Sequence, residues 1–159
     1  MAARLPIRVL FVCSGNICRS PMAEAYLRHR VRQLRLTDKI EVDSAGIGRW
    51  HQGEAADRGT LDTLKAHGIS TDGLLARQIR ADDCRLVDYI IVMDRSHLRS
   101  LSHECRAKAR LLLSWTPGRA RHDEVFDPYG TDRFEEVYAL MVPALEQLLA
   151  EIVTHHALR

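Results

Sequence analysis

Residues 7–21 read IRVLFVCSGNICRSP. The opening run, "IRVLFV" (7–12), has the apolar character of a strand buried on both faces, as in a parallel sheet. At the far end Ser20 fits a helix N-cap, with Pro21 at the first helical position. Between them lie Cys13, Ser14, Gly15, Asn16, Ile17, Cys18 and Arg19. A loop that leaves a buried strand and opens a helix is an anion site by construction. Free backbone N–H groups and the helix dipole both point at whatever sits there. Gly15 and Asn16 tolerate the positive φ that a tight cradle needs. Arg19 adds a planar fork suited to a tetrahedral oxyanion. Cys13 stands at the strand end in the same field, which favours the thiolate. A thiolate beside a bound phosphate is a nucleophile aimed at phosphorus.

The rest of the chain alternates strands and helices, the pattern of an α/β fold. After Ser20 the apolar residues Ala23, Tyr26, Leu27, Val31 and Leu34 recur at helical spacing. "KIEVDSAG" (39–46) predicts the second strand, and "GEAADRGTLDTLKAHG" (53–68) a helix ending at Gly68 in a left-handed cap. "DYIIVM" (88–93) and "RLLLSW" (110–115) predict the third and fourth strands, with one helix from Arg95 to Cys105 between them. A long loop spans 116–131. A final helix is predicted from near Asp132, with Glu135 completing a capping box and Pro143 kinking or interrupting it. The expectation is one domain over residues 1–159, with a doubly wound, four-stranded parallel sheet and helices on both faces.

Composition narrows the partners. The chain has 159 residues, 46% hydrophobic and 28% charged, with 23 basic and 21 acidic residues. That balance argues against nucleic acid as a ligand. No stretch approaches the ~20 apolar residues of a membrane span, so no membrane insertion is expected. The N-terminus lacks the features of a signal peptide. The four cysteines, Cys13, Cys18, Cys84 and Cys105, include no C-x-x-C and no zinc-type spacing. A chain of this length needs no disulfide staples, so reduced thiols in the cytoplasm are expected, with no metal and no cofactor.

The bare spacing Cys-x5-Arg is weak, since four Cys and 20 Arg in 159 residues yield about half a match by chance. The nucleotide P-loop is excluded because no Gly-Lys-[Ser/Thr] follows, and the Rossmann glycine fingerprint is missing. The longer string decides. "VCSGNICRSP" closely resembles the active-site loop of the low-molecular-weight protein tyrosine phosphatases. "DSAGIGRWHQGEAAD" (43–57), "HGI" (67–69), "ARQI" (76–79), "DYIIVMD" (88–94) and "DPYG" (127–130) follow in family order, over about residues 7–152.

The resemblance implies hydrolysis of phosphotyrosine in proteins, and of small aryl phosphates, through a metal-independent phosphocysteine. Cys13 would be the nucleophile, Arg19 the oxyanion clamp, and Asp127 the acid and then the base. Taken alone, Asp127 before Pro128 reads as a turn residue. Its protonated form is needed when substrate is bound, so an acidic optimum is expected. Residues 14–18 and Ser20 would wrap the phosphate. Asn16, Ser20 and Ser44 would brace the loop, with Ser20 also stabilising the thiolate. Trp50 and Tyr129 would wall the cleft around an aryl ring. Cys18 matches a second loop cysteine, open to a redox disulfide with Cys13 or to a passive role.

Three positions depart from the family pattern. Leu74 replaces a bracing histidine, His97 replaces a common asparagine, and "DPYG" carries one aromatic where many members have two. The first two touch the bracing network and local packing, the third substrate choice. His155 and His156 receive no role. Two other readings compete. Arsenate reductase shares the loop but needs cysteines placed to relay a disulfide, and Cys84 and Cys105 are 21 residues apart. A phosphate-binding adaptor would need a broken catalytic set. The partners expected are tyrosine-phosphorylated protein substrates, and the chain is expected to be a monomer.

Overall fold

The computed structural model describes residues 5–118 and 123–158. Residues 119–122 of the loop expected over 116–131 lie outside the described residues. Four strands, β1 (Ile7–Cys13), β2 (Ile40–Gly46), β3 (Tyr89–Val92) and β4 (Ala109–Leu111), form one sheet in the order β2-β1-β3-β4. All three pairings are parallel. β1 lies inside the sheet, paired on both edges, because its run Val9–Cys13 is apolar enough to be covered on both sides. Val9, Phe11 and Cys13 face one core, and Leu10 and Val12 face the other. That split is the period-2 alternation of a strand, applied to a doubly wound sheet.

The first core lies under α1 (Arg19–Gln33), α2 (Arg58–Ala66) and α6 (Phe134–His155). The second is smaller and lies under the short helices α3 (Asp83–Leu86), α4 (Arg95–Ser100) and α5 (His103–Lys108). Tyr26 and Arg30 of α1 both donate to Glu146 of α6, at 2.7 and 2.9 Å, which ties the two long helices together. α6 is long and apolar enough to cross a membrane by length and composition alone. Its stripe of Phe134, Val137, Met141, Leu145, Leu148, Leu149 and Ile152 is buried in the first core instead.

Several local expectations change. α1 begins at Arg19, with Cys18 as its N-cap and no side-chain cap, so Ser20 and Pro21 lie inside the first turn. α2 begins only after Asp57, whose side chain accepts from the Gly59 N–H at 2.8 Å, while Gly68 has the expected positive φ of 72°. The helix expected from Arg95 to Cys105 breaks at Leu101, and Ser102 caps the second piece. "RLLLSW" gives a short strand followed by a 3-10 turn over Leu112–Trp115. α6 starts at Phe134 with no capping box, and Glu135 pairs with His67 at 2.9 Å instead. Pro143 does not interrupt the helix. It and Ala139, whose carbonyl it deprives of a donor, are both exposed, so water can serve that carbonyl.

The expectation of four reduced thiols is also corrected. Cys84 and Cys105 form a disulfide, with Cα atoms 4.8 Å apart. Their separation of 21 residues in sequence conceals the neighbourhood, because α3 and α5 pack side by side on one face of β3.

Candidate active site

In an open parallel sheet, ligands bind outside the carboxyl ends of strands, where the strand order reverses direction. Here that point lies between β1 and β3. The end of β1 delivers Cys13 and the loop to Arg19. The end of β3 delivers Asp94 and His97. A cleft of about 170 Å³ opens there, and its floor is Cys13, Ser14, Gly15, Ile17, Cys18 and Arg19. Trp50, His51, Asp127 and Tyr129 form its walls. The predicted nucleophile, clamp, acid and both aromatics are therefore brought to one place. Trp50 and Tyr129 are 70% and 58% exposed, which suits a wall that a flat ring could stack on better than a core position.

The loop takes its shape from two residues. Asn16 adopts φ 60°, as its type permits. Gly15 does not use the positive φ expected of it; its missing side chain makes room for the His51 ring, which a Cβ would meet at 3.0 Å. Gly46, at the end of β2, has a stronger requirement. A Cβ there would meet the backbone of Ser14 and Asn16 at 2.9 and 3.0 Å, so no larger residue lets the loop close over the strand.

Cys13 is buried, and its Sγ lies 2.9 Å from Ser20 Oγ. Asn16 Nδ2 donates to Ser20 Oγ and to Ser44 Oγ, each at 2.8 Å. With its oxygen accepting from Asn16, Ser20 has its own proton to share between the sulfur and the Ala45 carbonyl, the latter at 3.5 Å. The bracing role expected of Asn16, Ser20 and Ser44 thus has a matching geometry. Leu74 takes no part and is buried in the first core. The network closes through groups that sequence reasoning missed. Ser44 Oγ donates to Glu24, which also pairs with Arg28, and Asn16 Oδ1 accepts from the Arg77 N–H at 3.0 Å. Burial pushes the Glu24 carboxyl up, against the Ser44 hydrogen bond and the Arg28 charge.

Arg19 is the most constrained side chain of the site. Its Nη1 donates to Asp94 Oδ2 and to the Val125 carbonyl, both at 2.9 Å. Its Nη2 lies 3.4 Å from Ser14 Oγ and 3.9 Å from Asp127 Oδ2. Its Nε is buried and has no hydrogen-bond partner among the described residues. Nε and one hydrogen of Nη2 share an edge of the planar group, so the unengaged edge is the one suited to two oxyanion oxygens. Burial disfavours the Asp94 carboxylate, but the Ser96 hydroxyl and Arg19 outweigh it and hold the group below the usual range.

Asp127 combines both readings of its sequence context. Oδ1 accepts from the Tyr129 N–H at 3.0 Å, as a turn aspartate does, while the side chain stays 53% exposed at the cleft. Cys18 is a free, buried thiol. Burial, with the Asp57 and Cys13 charges, pushes it far above its ordinary range, so it stays protonated. Asp94 was not assigned to the site from the sequence, and His97 entered only as a departure from the family pattern touching bracing and packing. The available signal was their position just past the end of the strand that pairs with β1. His51 was missed as well; it leans on Glu54 at 2.6 Å and borders the cleft.

The match to known proteins is extensive. Residues 8–157 fit the model of the family described as low molecular weight phosphotyrosine protein phosphatase. The chain is 47% identical over 150 residues to the low molecular weight protein-tyrosine-phosphatase YfkJ of Bacillus subtilis, covering 92% of this chain and 96% of that one. The crystal structure of YfkJ superposes with a TM-score of 0.90, covering 97% and 99% of the two chains. A Drosophila protein whose structure is described as an arginine phosphatase is also similar, at 38% identity and a TM-score of 0.80, covering 92% and 98%. A relative from Streptomyces coelicolor, a low molecular weight protein-tyrosine-phosphatase, is 44% identical over 153 residues, or 91% of this chain and 93% of its own. The chain belongs to the low molecular weight phosphotyrosine protein phosphatase family.

Proposed function

We propose that the whole chain is one phosphatase domain that hydrolyses phosphotyrosine in proteins, and small aryl phosphates, through a phosphocysteine and without a metal. The observation that carries this is the convergence of Cys13 Sγ, the unengaged edge of Arg19 and Asp127 on one aromatic-walled cleft. In the first step the Cys13 thiolate attacks phosphorus. The S–P bond forms, the P–O bond to the aryl group breaks, and the Asp127 carboxyl gives its proton to the departing phenolate oxygen. In the second, Asp127 takes a proton from water, the water oxygen attacks phosphorus, and the S–P bond breaks to return the thiolate and release phosphate. Charge on the equatorial oxygens is met by Arg19 and the loop N–H groups, which is the part a metal ion would otherwise play.

The apolar Ile17 floor and the Trp50 and Tyr129 walls favour an aryl phosphate over phosphoarginine, the substrate class in the name of the Drosophila relative. Arsenate reduction is disfavoured by the sheet itself. Cys84 and Cys105 belong to the core on the opposite face from Cys13, with β1 and β3 standing between. The test is hydrolysis of an aryl phosphate and of phosphoarginine, with chelator present, alongside arsenate-dependent thiol oxidation. Aryl phosphate turnover that survives chelation is the expected result. No turnover, loss of activity in chelator, or preference for phosphoarginine would sink the proposal in the corresponding part.

A further inference from the structure

We propose that His97 is a positioning residue of the phosphate cradle, fixed as the Nε2–H tautomer so that it donates to Ser14 Oγ. Through that hydroxyl it sets the Nη2 side of Arg19. This rests on the phosphatase reading and deepens it.

The tautomer follows from the partners of the ring. His97 is 1% exposed, and its Nδ1 faces the N–H groups of Met93 and Asp94 at 3.3 and 3.2 Å. A backbone N–H can only donate, so Nδ1 accepts and carries no proton. Asp94 Oδ1 lies 3.5 Å from Nδ1, but it already accepts from the His97 N–H and the Ser96 hydroxyl. Burial, then the Arg19 charge, lower the imidazole to about 4, against the pull of Asp94, Asp127 and Glu124. The ring is therefore neutral near pH 7, and its one proton is on Nε2.

Nε2 lies 3.0 Å from Ser14 Oγ, and Arg19 Nη2 lies 3.4 Å from the same oxygen. The two nitrogens are 3.5 Å apart, but both are donors and cannot bond each other. They share the hydroxyl oxygen instead. Both Ser14 lone pairs are then used, and the hydrogen left on the hydroxyl is free to turn to the cleft that Ser14 borders. With the proton on Nδ1 the direction would reverse. Ser14 would donate to the imidazole, its oxygen could still accept from Arg19, and an oxyanion in the cleft would lose the hydroxyl proton.

Two substitutions separate positioning from packing. In His97→Asn the side-chain amide lies at the level of Nδ1, so it can keep accepting the Met93 and Asp94 N–H groups but cannot reach Ser14. In His97→Gln the amide nitrogen lies at the level of Nε2 and can still donate to Ser14. Each is read by kcat and KM for an aryl phosphate and by the affinity for inorganic phosphate. H97N is expected to lose about tenfold in kcat/KM and in phosphate affinity, the cost of one hydrogen bond to a charged network. H97Q should stay near wild type, and H97N should add almost nothing in a Ser14→Ala background. H97N performing as well as H97Q, or costing as much without the Ser14 hydroxyl, would overturn the proposal. If the wild type turns over no aryl phosphate, the phosphatase reading fails by itself, and the phosphate affinities still decide the role of His97. The ¹⁵N shifts of the wild-type ring give an independent reading at pH 7: a proton on Nε2 is expected, and a proton on Nδ1 overturns the assignment whatever the variants do.

Discussion

The end of β1 and the end of β3 face each other across one cleft and contribute to it differently. From β1 comes an unbroken segment, Cys13 to Arg19, that holds the thiol, the backbone N–H groups and the guanidinium. From β3 come two side chains, Asp94 and His97, whose partners are Arg19 and Ser14 rather than the cleft walls. Reacting groups can be carried by one short run of sequence, because a strand-loop-helix turn surrounds an anion on its own. Their aim is set from the neighbouring strand, because a guanidinium on a long side chain needs fixed partners to hold one orientation. Damage to the β1 side should abolish the reaction, and damage to the β3 side should blunt it.

The largest effect should come from Cys13→Ser, which removes the proposed nucleophile. Aryl phosphate turnover should fall by at least about 10⁴-fold while phosphate still binds. Next is Arg19→Lys, which keeps the charge but loses the two-point edge, for a loss of about 10²–10³-fold in kcat/KM. Asp127→Ala should slow an alkyl-substituted phenyl phosphate by about 10²-fold and a nitrophenyl phosphate far less, because only the poor leaving group needs the proton. On the β3 side, Asp94→Asn keeps an oxygen on Arg19 Nη1 and loses its charge, so kcat/KM should fall only about tenfold. If Asp94→Asn proves as damaging as Arg19→Lys, the division between the two strand ends is wrong. The smallest effect is on stability. The folded His97 imidazole, at about 4, lies below its ordinary 6.5. Between those values the unfolded chain binds a proton that the folded chain refuses, so this contribution is present above pH 6.5 and is lost as the pH falls towards 4. Melting temperature should drop over that window, and less so in His97→Asn.

The same two regions differ in how readily a sequence discloses them. The β1 segment is contiguous, and its apolar strand, small-residue turn and Ser-Pro pair name its structure in order. Asp127, although 114 residues from Cys13, was legible through the family pattern around it. The β3 contribution showed only as the family departure at His97, with no role attached, because the pairing of β1 with β3 is a fact of topology that no spacing records. The Cys84–Cys105 disulfide was hidden for the same reason. Helix starts misled in another way. Ser20 has the chemistry of a cap, but its hydroxyl answers Cys13 and Asn16 inside the first turn. Glu135 could have closed a capping box, but it answers His67. In each case a tertiary partner outcompeted the local one.

One buried atom has a thermodynamic consequence. Arg19 Nε is a donor shut away from solvent with no answering acceptor among the described residues. Such a group costs folding free energy until something accepts its hydrogen. An oxyanion that does so binds the folded chain and has no comparable site on the unfolded one. By linkage it raises the melting temperature in proportion to the logarithm of its concentration above its dissociation constant. Phosphate, the product, is thereby a ligand that the fold itself can report, and its occupancy can be followed by heat alone, in variants that no longer turn over substrate.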